Sequence, residues 1–342
     1  MNHFKVAWRN LRKQPFYATI NVLGLAVGMT CCLLIFLYVR HEASYDNFHV
    51  HAHRIYRMTT DVATPSDTIR GRETSGPMAP TVAAEFPEVE HAVRIDRANA
   101  LVRRGDAVYQ EDNLLFADST FFRVFTYDLI RGDERTALVA PFSLILSETT
   151  ARRYFGAADP VGQTLQLENQ FDATVTGVVR DAPTNAHFTF DALISMSTLT
   201  ARLAPGRDEQ WGNFSMSTYL LLRPGTDPDA LAAKFPAMLE RRAGDIMREY
   251  EMYYTLVLEP LADIYLRSER GSQHEGSLES VCLFSIIAGF ILLIAGVNFV
   301  NLTTARSDER AREVGVRKAA GAGRGQLTAQ FLGESLFLSL LA

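Results

Sequence analysis

The chain has 342 residues, 47% hydrophobic and 21% charged, with a formal net charge of −5 at neutral pH. That length allows two or three domains, and the acidic balance argues against a nucleic-acid partner. The three cysteines, Cys31, Cys32 and Cys282, all fall in apolar runs, which leaves the rest of the chain without a disulfide framework.

Residues 1–15 read as a cytoplasmic segment. Phe4, Trp8 and Leu11 recur at spacings of four and three with Lys5, Arg9 and Arg12 between them. This predicts a short amphipathic helix lying at the inner membrane surface, ended by Pro15.

Phe16 to Val39 then runs 24 residues without a charge. A helix needs ~20 apolar residues to cross a hydrocarbon core, so residues 16–40 are read as a first transmembrane helix. The run is longer than a signal-peptide core, and no small-x-small cleavage site follows it, so it is read as a retained anchor. Gly24 and Gly28 form a small-xxx-small pair that lets a neighbouring helix approach closely.

Residues 41–279 hold 23 Lys and Arg against 35 Asp and Glu. The short basic flanks outside this stretch belong in the cytoplasm, which places residues 41–279 on the other side. Alternating and periodic patterns predict strands at 54–60, 91–97, 163–167, 173–179, 218–222 and 252–258, and a hairpin at 107–117. Helices are predicted at 76–86, after the cap residue Ser147, and after Asp227-Pro228. The order βαβ, insertion, βαβ suggests a split ferredoxin-like, porter-type unit interrupted by a small α/β subdomain. His41, His49, His51 and His53 cluster in sequence, but no cysteine or tight acidic set supports them, and no metal site is expected.

A second charge-free run, Val281 to Ala305, is 25 residues long and predicts a transmembrane helix over 280–305. Ala288, Gly289, Ala295 and Gly296 place small residues on one face for helix packing. Asn298 and Asn301, at i and i+3 near the inner end, act as an interhelical lock or simply lie close to the headgroups. Residues 306–327 are rich in arginine and lysine and belong inside. A last apolar run over 328–342 is too short to span, and is expected to be the start of a third helix in a longer protein.

The chain contains no G-x-x-x-x-G-K-[ST], no H-E-x-x-H and no G-x-S-x-G. The segment Gly321-Ala-Gly-Arg-Gly325 lacks the P-loop lysine and reads as a turn. Neither a catalytic residue nor a bound cofactor is expected.

The segment from Ala311 to Ala322 is too short and too charged to cross a membrane, and its charges alternate with Val314, Val316, Ala319 and Ala320. Arg312, Glu313, Val314, Gly315, Val316, Arg317, Lys318 and Gly321 resemble the loop between the second and third membrane helices of MacB-like and FtsX-like ABC transporter permeases. Trp8 to Arg12, Tyr45-Asp46, Phe48-His49, Arg54 to Arg57, Tyr154-Phe-Gly156, Asp159 to Gly162, Val175 to Val178, Asn298 to Leu302 and Gln330 to Ser335 are similar to the same family, in the same order.

The resemblance implies an α-helical membrane protein of the cell (inner) membrane, multi-pass, with a large α+β periplasmic domain. It implies a separate ABC ATPase subunit carrying the ATP and Mg, with Gly315 and Arg317 seating the loop helix in that ATPase and Glu313 fixing its position. It implies membrane lipid and a second permease half or homologous permease in a dimeric arrangement, with a periplasmic adaptor and an outer-membrane channel as further partners. The implied activity is export by mechanotransmission. The alternative within the family is an FtsX-type regulator that activates a periplasmic cell-wall hydrolase and transports nothing. A sensory receptor fits less well, because a further apolar segment follows the second run so closely.

Overall fold

The structure is a computed structural model, described over residues 15–270, 275–305 and 307–319, and at residues 321, 323–325, 327–328, 332–333, 336 and 339. The amphipathic helix expected over 2–14 lies outside the described residues, as does most of the third apolar run.

The first described element is the helix α1, Pro15–Glu42. Its 28 residues extend about 40 Å at 1.5 Å per residue, more than a bilayer core requires. Leu23, Val27, Leu33, Leu34 and Phe36 lie exposed along it. In water such a surface is unfavourable; in lipid the same side chains are solvated.

Residues 44–277 form a separate compact unit. Its elements in chain order begin with β1 (Ile55–Ala63), β2 (Thr68–Gly71), β3 (Thr74–Ser75), α2 (Met78–Glu85), β4 (Val89–Arg104) and β5 (Ala107–Ala117). Next come α3 (Phe121–Val124), β6 (Leu129–Arg131), β7 (Ser143–Ser147), α4 (Glu148–Phe155), β8 (Thr164–Leu167), β9 (Phe171–Val179), β10 (Ala192–Ser195) and α5 (Met196–Thr198). The unit closes with β11 (Phe214–Leu222), α6 (Pro228–Ala232), α7 (Phe235–Glu249), β12 (Tyr253–Pro260) and α8 (Leu261–Ile264).

The main path of the sheet runs β12-β1-β11-β4-β5-β10-β7-β9-β6. In its first part β1 lies antiparallel between β12 and β11, and β11 antiparallel against β4. Two β-α-β units, β1-α2-β4 and β11-α6-α7-β12, thus interleave their strands. Everything from β5 to β10 is inserted between them. The inserted part contains two parallel pairings, β10 with β5 and β7 with β9. The 16-residue strand β4 serves both parts: its first half pairs with β11, its second half with β5 and β8.

Three apolar cores follow this division. Met58, Val82, Leu220, Phe235, Met238 and Leu256 pack the first β-α-β layer against α2 and α7. Leu114, Leu144, Leu165, Val175 and Ile194 pack the inserted part under Ala151, Tyr154 and Phe155 of α4. A third core is aromatic, with Phe121, Phe125, Tyr127, Phe188, Phe190 and Tyr219 packed together. Helix starts are explained locally. Ser147 accepts a hydrogen bond from Thr150 N at 3.2 Å and caps α4, while Asp227 accepts from Asp229 N at 3.0 Å ahead of Pro228 and caps α6.

The segment 107–117 is a single strand rather than a hairpin. Its partner arm is the far half of β4, from Arg104↔Ala107 back to Ile95↔Ala117. The short strands β2, β3, β6 and β10 carry too few residues for an alternating pattern to show in the sequence.

The remaining helices are α9, Leu278–Thr304, and α10, Ser307–Ala319. The stretches Thr19–Glu42 and Leu278–Leu302 are each long and apolar enough to cross a membrane. Along α9, Leu283, Phe290, Leu293 and Ile294 are exposed as in α1.

Candidate functional site

The loop after α9 forms the 13-residue helix α10, which contains Arg312, Glu313, Val314, Gly315, Val316, Arg317 and Lys318. Arg312, Gly315, Lys318 and Ala319 are exposed, and Val316 is 72% exposed. A Cβ built on Gly315 would meet nothing within 4 Å. Gly321 stops the helix with φ +91°, a conformation that excludes most side chains, and its N–H donates to Lys318 O at 3.0 Å. The result is a cationic helix with an uncovered apolar residue, Val316, and an open glycine face. Such a surface can seat in a partner.

The expected packing residues separate into two sets. A Cβ on Gly28 would come 2.8 Å from Ala295 Cβ, and one on Gly24 would come 3.3 Å from Asn298 Nδ2. Both glycines therefore face α9. Cys32 Sγ donates to Ala288 O at 3.2 Å on the same seam, and Tyr38 meets Phe284 edge-on with ring centroids 5.4 Å apart. Gly289 and Gly296 face no described atom within 4 Å. Asn298 lies beside Gly24, whereas Asn301 is exposed. Asn21 lies within α1, 2% exposed, with neither amide atom hydrogen-bonded.

In the 44–277 unit, the first residues after α1 form a strap anchored by the buried side chains of Asp46 and His49. Asp46 N donates to Asn185 O at 2.9 Å, and the Asn185 amide donates to Ser44 O at 2.9 Å. His187 N donates to Asp46 Oδ1 at 3.1 Å, and His187 Nε2 is 2.8 Å from Tyr219 OH. His187 Nδ1 also lies 2.8 Å from Asp46 Oδ1, although the two are not aligned as a hydrogen bond. Burial pushes the Tyr219 hydroxyl up to about 12. Tyr45 stacks on Tyr265, tying the start of the unit to its end.

His49 is separated from its sequence neighbours. It is 3% exposed, and its Nδ1 accepts from Thr126 N at 3.0 Å. Burial is the main cause that lowers its pKa to about 4; Asp46 opposes the shift and His187 adds to it. His51 is half-buried and His53 exposed. Among the described residues no three His, Cys, Asp or Glu side chains converge as a metal-binding set.

Arg94 is a second residue whose role the sequence did not show. It is buried on β4, donates to Asp118 Oδ1 and Oδ2 at 2.9 Å and to Gly76 O at 2.9 Å, and also contacts Asp208. Desolvation works against its charge, but the Asp118 and Asp208 carboxylates outweigh it and raise the pKa. Only the fold brings these partners together, from four separate loops and strands.

Comparison with known proteins agrees with these two regions. The model of the MacB-like periplasmic core domain matches residues 18–238, and that of the FtsX-like permease C-terminal region matches residues 285–342. The pyoverdine export ATP-binding/permease protein PvdT of Pseudomonas syringae pv. tomato is 22% identical over 356 residues, covering 100% of this chain and 50% of that protein. The macrolide export ATP-binding/permease protein MacB of Burkholderia cenocepacia is 24% identical over 359 residues, covering 98% of this chain and 48% of that protein. The chain thus spans about half the length of the curated relatives it matches. A solved domain described as part of a permease protein of Porphyromonas gingivalis shares the fold, with a TM-score of 0.57 at 23% identity over 69% of this chain and 98% of that one. With the core-domain model alone matching more than half of its residues, the chain belongs to the MacB-like/FtsX-like permease family, as a membrane protein with an extracytoplasmic domain.

Proposed function

We propose that this chain is permease machinery of a bacterial ABC exporter in the cell membrane, in which α10 receives the push of an ATPase and the 44–277 unit is reshaped in response. The observation that carries the reading is α10 itself: a short cationic helix, with Val316 72% exposed, in a chain matched by the FtsX-like permease family. ATP and its Mg would be held by the ATPase, which is a separate subunit in this reading. The β-α-β interleaving supports a split ferredoxin-like, porter-type unit with an inserted α/β subdomain, a shape suited to opening and closing as its two parts move. Coupling of this kind is a free energy shared between two sites, here α10 and the extracytoplasmic unit. The relatives' names, both export permeases, favour export over the hydrolase-regulator alternative. A second permease half completes the arrangement, with an adaptor and an outer-membrane channel beyond it.

Gly315→Leu tests the assignment cleanly. A Cβ at this position meets no described atom within 4 Å, and leucine favours a helix over glycine by ~0.8 kcal/mol, so α10 itself stays formed. We expect loss of co-purification with the cognate ATPase and a drop in ATP-dependent export of about tenfold, the effect of losing ~1.4 kcal/mol of interface energy. Retention of both ATPase capture and export in this variant would overturn the role given to α10.

A further inference from the structure

We propose that Tyr265 is the positioning residue at which the incoming and outgoing chain of the 44–277 unit are held together, so that a displacement arriving through α1 or α9 enters the sheet at one point. The inference deepens the reading of the chain as permease machinery and rests on it.

The incoming chain meets this point at its second residue within the unit. Tyr45 lies flat on Tyr265, with ring centroids 3.3 Å apart and the planes 4° from parallel. The outgoing chain meets it two residues before α9. There Gly276 N donates to Tyr265 O at 2.9 Å. A Cβ on Gly276 would lie 2.5 Å from Tyr265 Cε1 and 2.8 Å from Leu266 Cδ2, so glycine is what lets the backbone close on the ring. Tyr265 is 8% exposed. Packing alone explains one buried tyrosine, but it does not require both ends of the unit to close on the same ring.

From Tyr265 two routes lead inward. The first runs through α8, immediately before it in the chain, whose Leu261 and Ile264 are buried in the aromatic core with Phe121, Phe125 and Tyr219. The residues after Tyr265 are tied to β1 as well. Arg57 donates to Ser268 Oγ at 2.7 Å and to Glu259 Oε2 at 2.9 Å, and Arg270 Nη2 donates to Asp61 Oδ2 at 3.0 Å. The second route runs from Tyr45 to its neighbour Asp46, then to His187, which reaches Tyr219 OH at 2.8 Å. Both routes end on Tyr219 of β11, the strand between β1 and β4 that joins the two β-α-β units. A close-packed interior passes a shift along such a chain of contacts instead of absorbing it.

Hydrogen–deuterium exchange of the full chain with its cognate ATPase, with and without ATP and vanadate, tests the assignment. Nucleotide should change the exchange of the β11 amides roughly threefold in the unaltered chain and in Tyr265→Phe, which keeps the ring. In Tyr265→Leu the two nucleotide states should exchange alike. Gly276→Val, whose Cβ has no room beside the ring, should behave as Tyr265→Leu does. A purely structural role would speed exchange equally in both states and leave their ratio as it was. A ratio preserved in Tyr265→Leu, a ratio lost in Tyr265→Phe, or no nucleotide response in the unaltered chain would each overturn the proposal. Protection of α10 by the ATPase is read from the same spectra, and its absence would count against the docking role of α10 instead, whatever β11 shows.

Discussion

His49, one of four histidines that cluster in sequence, is a core residue in the fold. Its imidazole packs against Phe48, Phe125 and Tyr127, and its ordinary pKa of 6.5 falls to about 4 through burial. The unfolded chain therefore takes up this proton before the folded one does. The stabilisation is complete above about pH 6.5, declines as the pH falls from there to about 4, and is flat below. The full difference is roughly 3 kcal/mol. Urea unfolding followed by the fluorescence of Trp211, which packs on the first β-α-β core, should show stability falling between pH 7 and pH 4.5. His49→Gln should reduce that fall; an identical pH profile in the variant would show that His49 does not titrate in this way. Asp46 and Arg94 make the same point about legibility. Each has an ordinary sequence context, and each is fixed by partners that lie 18 to 141 residues away in the chain. No local pattern encodes such a partner. By contrast, the caps Ser147 and Asp227 were legible, because a cap acts on atoms within three residues.

Among elements, the two long apolar helices show where pattern suffices and where it does not. Their existence follows from length and composition alone, because a charge-free run of this size has no stable place in water. Their packing faces do not. Gly24 and Gly28 face α9, whereas Gly289 and Gly296, equally suggestive as a sequence, face no described atom within 4 Å. Gly28→Leu should therefore break the α1–α9 contact, since a Cβ at Gly28 already sits 2.8 Å from Ala295 Cβ. A loss of about 1–3 kcal/mol is expected from such overpacking, read as lowered thermal resistance of the full chain in detergent. Gly289→Leu should leave that contact unchanged. Equal destabilisation by the two variants would contradict the helix pairing. Strands follow the same rule. The longer ones, β1, β9, β11 and β12, were visible as alternation. The short strands β2, β3, β6 and β10 were not, because two to four residues rarely establish a period. The hairpin expected at 107–117 failed for a related reason: a hairpin and one long arm of a larger hairpin carry the same alternation, and only the pairing partner separates them.

For the whole molecule, charge and topology make one joint prediction. The acidic 44–277 unit and the basic helix α10 should lie on opposite sides of the membrane. With Cys31, Cys32 and Cys282 changed to alanine, single cysteines at the exposed positions Asp106 and Val316 can be labelled in intact cells with a membrane-impermeant maleimide. Asp106→Cys should label from outside and Val316→Cys only after the cells are opened. Labelling of both positions from one side would contradict this topology and, with it, the path from α10 to the extracytoplasmic unit. The sequence by itself determined the two long apolar helices, the family and the outline of two β-α-β units with an insertion. Each of these rests on hydrophobicity, charge or periodicity summed over a contiguous stretch. Only the tertiary structure decided that β4 serves both parts of the sheet, that Arg94 joins four separate segments, that His49 is interior and that Tyr45 and Gly276 meet on Tyr265. Those outcomes depend on contacts between residues far apart in the chain, whose energies exist only once the backbone has closed around them.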